Sequence, residues 1–237
     1  MGNVIAIVGK SGTGKTTSML PNAKINIKGL DPKETVFVSI GGAGKPLLFP
    51  KAKEHYKSGT LAEGANHIFQ SSPSKIKTII EKIDTDEKNK HIKNLVIDDA
   101  QFLQMFTFMD KIKEKSFDKF NDVGEAGYLP LKAAAETKRS DLNIIFTYHS
   151  EETNAGDVKI KTAGKLIDQY LTIEGLFSFV LYTHTEFDFA EKIPKYYFQT
   201  QTNGFTSAKT PAGCFDSFLI PNDMGYVLDK IKEYIGE

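Results

Sequence analysis

The residues best suited to chemistry stand near the start of the chain. Gly9, Lys10, Ser11, Gly12, Thr13, Gly14, Lys15 and Thr16 fit the phosphate-binding pattern G-x-x-x-x-G-K-[ST] at every position. Glycines at 12 and 14 let the backbone turn until successive N–H groups point inward as an anion nest. Lys15 can then reach the β- and γ-phosphates of a nucleoside triphosphate, and the Thr16 hydroxyl can ligate Mg²⁺. Ser11, Thr13 and Thr17 complete the set expected to line the nucleotide. A second set, Asp98 and Asp99, follows the apolar run Leu95-Val96-Ile97. A carboxylate at the end of such a strand can hold Mg²⁺ beside the Thr16 hydroxyl. Asp99 has two open roles, orienting an attacking water or capping the segment that follows. His149, just past another apolar run, either hydrogen-bonds the γ-phosphate or packs as an ordinary histidine.

Such groups need a sheet to hold them. Val4 to Val8, Val36 to Ile40, Asn94 to Asp98, Leu142 to Tyr148 and Phe177 to Thr183 read as strands, with His67 to Phe69 a shorter one. A helix beginning near Lys15 is expected to turn its positive dipole end to the anion, although Pro21 keeps it short. Residues 74–83 carry Ile76, Ile79, Ile80 and Ile83 at helical spacing. Gly124 to Gly127 is expected to break the chain before a helix over 129–138, with Arg139 complementing that helix's dipole. Residues 153–165 are polar, with Gly156, Gly164 and three lysines, and read as a mobile loop. A short helical piece over 166–171 follows. Asn203-Gly204 predicts a hairpin joining 196–202 to 206–209, and Val227, Leu228, Ile231, Tyr234 and Ile235 mark a last helix. Residues 41–45 imitate a second phosphate loop. Their spacing fails, however, and Pro46 stands where a metal-binding Thr or Ser belongs, so a flexible loop is the expectation.

The chain has 237 residues with 40% hydrophobic content, enough for one α/β domain spanning 1–237 with a β-hairpin and helix from about 177. Acids and bases balance at 30 each, so a polyanion partner would need a local patch rather than a global field. Arg139 is the only arginine, which argues against nucleoside monophosphate kinases, since these close several guanidinium forks over phosphate. Cys214 is the only cysteine, leaving no internal disulfide and no Cys-based zinc site. With no leader pattern and no apolar run near 18 residues, the sequence predicts no membrane contact and a cytoplasmic location.

The order of the 9–16 loop, Ile97-Asp98-Asp99, Phe146-Thr147-Tyr148-His149 and Phe205-Thr206-Ser207-Ala208-Lys209 resembles the RecA-like P-loop ATPases of bacteriophages, some of which are single-strand annealing recombinases. The likeness spans most of the chain, with the phosphate loop its only specific motif. It implies a RecA-like core with a mainly parallel sheet and a β-rich C-terminal extension. It also implies ATP and Mg²⁺ bound between subunits of a ring or filament in the host cytoplasm. Single-stranded DNA is the implied polymer, and a single-strand binding protein a further partner. Lys209 matches the position from which a neighbouring subunit offers a cation to the γ-phosphate. One departure stands out. Many such ATPases place a water-activating glutamate after the second strand, where this chain has Ser39-Ile40-Gly41-Gly42, so hydrolysis is expected to be slow or to rest on Asp99 or Glu151.

Three function classes follow. The first is an ATPase acting on single-stranded DNA in recombination, annealing or replication, with residues 111–120 and 153–165 offering aromatics and lysines. The second is a small-molecule phosphotransferase, and the third an assembly module switched by bound nucleotide. DNA-stimulated hydrolysis separates the first from the others.

Overall fold

β1 (Val4–Val8) is buried along its whole length, and its residues divide between two cores. Val4, Ala6 and Val8 join one hydrophobic cluster, while Ile5 and Ile7 join the other. This is the period-two alternation of a strand covered on both faces. β2 (Thr35–Ser39), β4 (Asn94–Asp98) and β5 (Asn143–Tyr148) are buried end to end in the same way. The computed structural model describes residues 2–41, 46–163 and 172–236. With β3 (His67–Phe69) and the first half of β8 (Phe179–Asp188), these strands form a parallel sheet ordered β8-β1-β5-β4-β2-β3. β9 (Ile193–Gln199) pairs antiparallel with β8, and β10 (Leu219–Pro221) pairs antiparallel with β9, completing an eight-stranded sheet. The protein is α/β, with a mostly parallel central sheet and antiparallel additions at one edge.

Helices cover both faces. α2 (Pro73–Thr85), α3 (Gln101–Asp110) and α4 (Asp118–Ala135) pack on one side through Ile76, Ile80, Leu103 and Leu131. On the other side α5 (Met224–Ile235) contributes Met224, Val227 and Ile231, joined by Met19 and Leu30. The single turn α1 (Ala52–His55) brings Tyr56 edge-on to Phe37, with ring centroids 5.3 Å apart. Because the parallel strands all end on one side, the 9–16 loop, Asp98 and His149 emerge along a single carboxyl edge, where open α/β sheets place their ligands. Among the described residues, no helix is long and apolar enough to cross a membrane.

Three sequence expectations are corrected. Instead of breaking at Gly124 to Gly127, α4 runs through both glycines and Pro130. A Cβ at Gly127 would lie 2.4 Å from Gln104 Nε2, so this glycine admits α3 rather than ending α4. Asn203-Gly204 does form a turn, with Gly204 at φ +90°, but it joins no hairpin of the predicted partners. β9 pairs with β8 and β10, while Thr206 bridges to Val158 and Lys209 to Val180. The polar stretch over 153–165 is not all loop, since Val158–Ile160 within it is a strand. β6 (Ser150–Glu152) and β7 (Val158–Ile160) form a small antiparallel sheet, and Ile160 is buried with its N–H donating to Glu174 Oε1 at 2.9 Å. The helical piece over 166–171, Lys165 and most of the 41–45 segment lie outside the described residues.

Candidate functional site

The 9–16 loop is tied down at its start and built around an ammonium group. Gly9 N–H donates to Tyr148 O at 3.1 Å, and Ser150 N–H returns a bond to Gly9 O at 3.3 Å. A Cβ on Gly9 would sit 1.8 Å from Thr183 Oγ1, so only glycine fits between β1 and β8. Gly12 and Gly14 take φ of +78° and +88°, the left-handed conformation that turns the backbone on itself. Lys15 is buried, its Nζ donating to the Gly9 and Lys10 carbonyls at 2.8 Å each. Thr13 Oγ1 donates to Lys10 O at 2.7 Å and accepts from Thr183 Oγ1 at 2.7 Å. A charged group is thus held at the loop's centre by the carbonyls that flank the nest.

The helix after the loop is a single turn, as short as Pro21 led the sequence to predict. Thr17–Met19 is a 3₁₀ piece, Ser18 N–H reaches Gly14 O at 2.9 Å, and Leu20 is already extended ahead of Pro21. So short a segment sums few peptide dipoles. The positive field therefore comes from Lys15 and the loop N–H groups rather than from a long helix.

Across the carboxyl edge, the two acids are joined by a threonine that spacing alone could not point to. Thr147, fully buried on β5, donates from Oγ1 to Asp98 Oδ1 at 2.8 Å and accepts the Asp99 N–H at 2.7 Å. Thr16 Oγ1 lies 3.2 and 3.4 Å from the Asp98 oxygens. Residues 16, 98 and 147 meet because β5 lies between β1 and β4 in the sheet. Asp99 takes the left-handed conformation, φ +61°, which aspartate tolerates better than most residues. Its Oδ1 stands 3.4 Å from His149 Nε2, and the His149 ring meets Phe102 edge-on at 5.9 Å. Gln101 Oε1 accepts the His149 N–H at 3.1 Å, while Gln101 Nε2 is buried without a partner among the described residues. Beneath them His67, 3% exposed, bonds Ser39 Oγ through Nε2 at 3.0 Å. Burial pushes the His67 imidazole below its ordinary range, partly opposed by the Asp98 charge.

No protein-family model matches the chain. No curated protein matches it either. The chemistry is therefore carried by the donor set. Thr16 and Asp98 offer hard oxygens, the kind Mg²⁺ selects. Among the described residues, no cluster of three His, Cys, Asp or Glu side chains could hold a metal unaided. A small divalent ion bound here would draw its other ligands from water and a phosphate, as Mg²⁺ commonly does.

The remaining sequence candidates fall elsewhere. Lys209 exchanges backbone hydrogen bonds with Val180, at the level of Ala6 and well below the loop. It sits two strand spacings from β1, about 10 Å to the side. Arg139 lies at the opposite end of the sheet. It donates to the carbonyls of Ile83, Asn89, Lys90 and Ile92 and to Asp141, so it joins the end of α2 to the entry of β4 instead of completing its own helix. That position keeps it away from the 9–16 loop of its own subunit. Glu151 pairs with Lys159 at 3.3 Å on the β6–β7 sheet. Along α3 and the start of α4, Phe106, Met109, Ile112 and Phe117 are exposed, and Lys119 Nζ stands 5.3 Å from the Phe120 ring centroid.

Proposed function

We propose that the chain binds ATP with Mg²⁺ on the 9–16 loop and hydrolyses it. The observation that carries this reading is the meeting of the Thr16 hydroxyl and the Asp98 carboxylate, 3.2 Å apart, beside a loop folded around Lys15. Lys15 would face the β- and γ-phosphates, with Thr16 and Asp98 holding the ion, which would neutralise charge on the phosphates. Asp99 and His149 stand together beyond Asp98, where a water could be oriented; this favours Asp99 as orienting residue over the paired Glu151. The mostly parallel sheet with these groups on its carboxyl edge suits a RecA-like core.

The polymer is proposed to be single-stranded DNA. Exposed Phe106 and Phe117, with Lys119 beside Phe120, supply stacking faces and charge. The ordered β6–β7 sheet weakens the case for residues 153–163 as a DNA-wrapping loop. A neighbouring copy could bring Lys209 to the loop, as the family resemblance implies, since its own subunit's loop is out of reach. The test is calorimetric titration of ATP with and without Mg²⁺, and hydrolysis with and without single-stranded DNA, in parent and Lys15→Ala proteins. Binding and turnover should vanish in Lys15→Ala while its thermal melt persists. Unchanged hydrolysis in the variant would refute the assignment, and a rate indifferent to DNA would remove the polymer from it.

A further inference from the structure

On the β9 side of the 9–16 loop lies a cleft of about 920 Å³. Gly14 and Thr17 bring it to the loop, and Ile25, Ile27, Tyr196 and Asn222 line it further out. Asn222 is 6% exposed, yet its Nδ2 has no hydrogen-bond partner among the described residues. The next residue shows what a satisfied side chain looks like here: Asp223 accepts from the N–H groups of Lys28, Gly29 and Gly225. An unpartnered buried donor costs stability, so such a group calls for an explanation. The site also constrains the loop. A Cβ on Gly14 would lie 2.7 Å from Asn222 Oδ1 and 3.5 Å from Tyr196 Cδ1, which places the carboxamide and the ring directly against the loop.

We propose that this cleft receives the base of the nucleotide, with the Asn222 carboxamide bonding the base edge and the Tyr196 ring lying against its face. The inference rests on the nucleotide-binding reading of the 9–16 loop and goes beyond it by assigning specificity. A carboxamide presents a donor and an acceptor side by side. Adenine presents the complementary pair at N6 and N7, the match asparagine makes when it reads adenine elsewhere. An aromatic face adds stacking that any base can use. The apolar side chains of Ile25 and Ile27 among its lining suit a base better than a phosphate. Asn222 is therefore a binding residue kept unsatisfied until the base arrives, and adenine is the favoured base.

The experiment compares the affinities of Mg-ATP, Mg-UTP and tripolyphosphate for the parent, Asn222→Leu and Tyr196→Ala proteins, each with its melting temperature. The parent should prefer ATP over tripolyphosphate and over UTP by about tenfold or more, the scale of one well-made base contact. Asn222→Leu should lose about tenfold for ATP but less than about twofold for tripolyphosphate, with a melting temperature no lower than the parent's. Tyr196→Ala, at a half-exposed position, should lose ATP and UTP alike while sparing tripolyphosphate. Equal affinity of the parent for ATP and tripolyphosphate would overturn the proposal, as would parallel losses of both ligands in the variants. A parent that binds tripolyphosphate but does not distinguish ATP from UTP would overturn the adenine assignment. If the parent binds none of the three, it is the reading of the loop itself that falls.

Discussion

Replacing Thr147 by Val should expose how much of the carboxyl edge depends on one hydroxyl. Valine nearly matches the shape of threonine, so the change deletes polar bonds with little cavity. Two bonds disappear, one from Oγ1 to Asp98 Oδ1 at 2.8 Å and one from the Asp99 N–H to Oγ1 at 2.7 Å. The first is a bond to a buried carboxyl group, and such charge-assisted bonds contribute about 1.5–3 kcal/mol. Losing the second leaves a buried N–H unpaired, costing about 1–3 kcal/mol, at a residue already in the left-handed conformation. The two losses share a side chain and do not add fully, so a destabilisation of about 3 kcal/mol is expected. Urea denaturation followed by circular dichroism measures it. Thr147→Ser, which restores the hydroxyl and omits only a methyl group, should recover most of the loss. A Thr147→Val protein within about 1 kcal/mol of the parent would mean that water or another donor replaces the hydroxyl, and the reasoning would fail.

Two further outcomes follow from groups away from the loop. Arg139→Ala should destabilise the fold by about 2–4 kcal/mol, because the carbonyls of Ile83, Asn89, Lys90 and Ile92 lose their shared donor; Arg139→Lys should rescue little, since a single ammonium cannot span that set, and full stability of either variant would contradict the clamp. His67 is held below its ordinary pKa by burial, so the unfolded chain takes up its proton first as pH falls. Its contribution is intact above about pH 6.5 and declines below that value. The urea midpoint should therefore drop from about pH 7.5 to 5.5, and His67→Gln should flatten that drop; an equally steep fall in the variant would assign the pH dependence to other groups.

The strands and the loop were legible because each is encoded locally. Val4 to Val8 is a β-branched run ending in a glycine pattern, and both features survive folding unchanged. Of the two partners of Asp98, Thr16 was expected from the loop pattern, and Thr147 was not legible. Thr147 lies 49 positions away in the chain, and only the strand order brings it to Asp98. His67 and Asn222 were missed for the same reason: their signals are burial and an unpartnered amide, which no spacing encodes. The α4 error came from reading Gly124 and Gly127 as a stop. The cost of glycine in a helix is small, and the close approach of Gln104 decides the matter. Asn203-Gly204 announced its turn correctly, but which strands pair was settled by the long β8, whose second half reaches β9 first.

The single arginine has a practical consequence. An endoprotease that cuts only after arginine has one address in this chain, and the Arg139 side chain is 10% exposed, engaged by carbonyls from two segments. Cleavage needs that stretch in an extended, accessible form, which the folded chain withholds. One cut, dividing the polypeptide into two fragments distinguishable by mass, would thus register the opening of the sheet's amino-terminal edge. The protein carries its own proteolytic clock, set at the end of the sheet farthest from the loop.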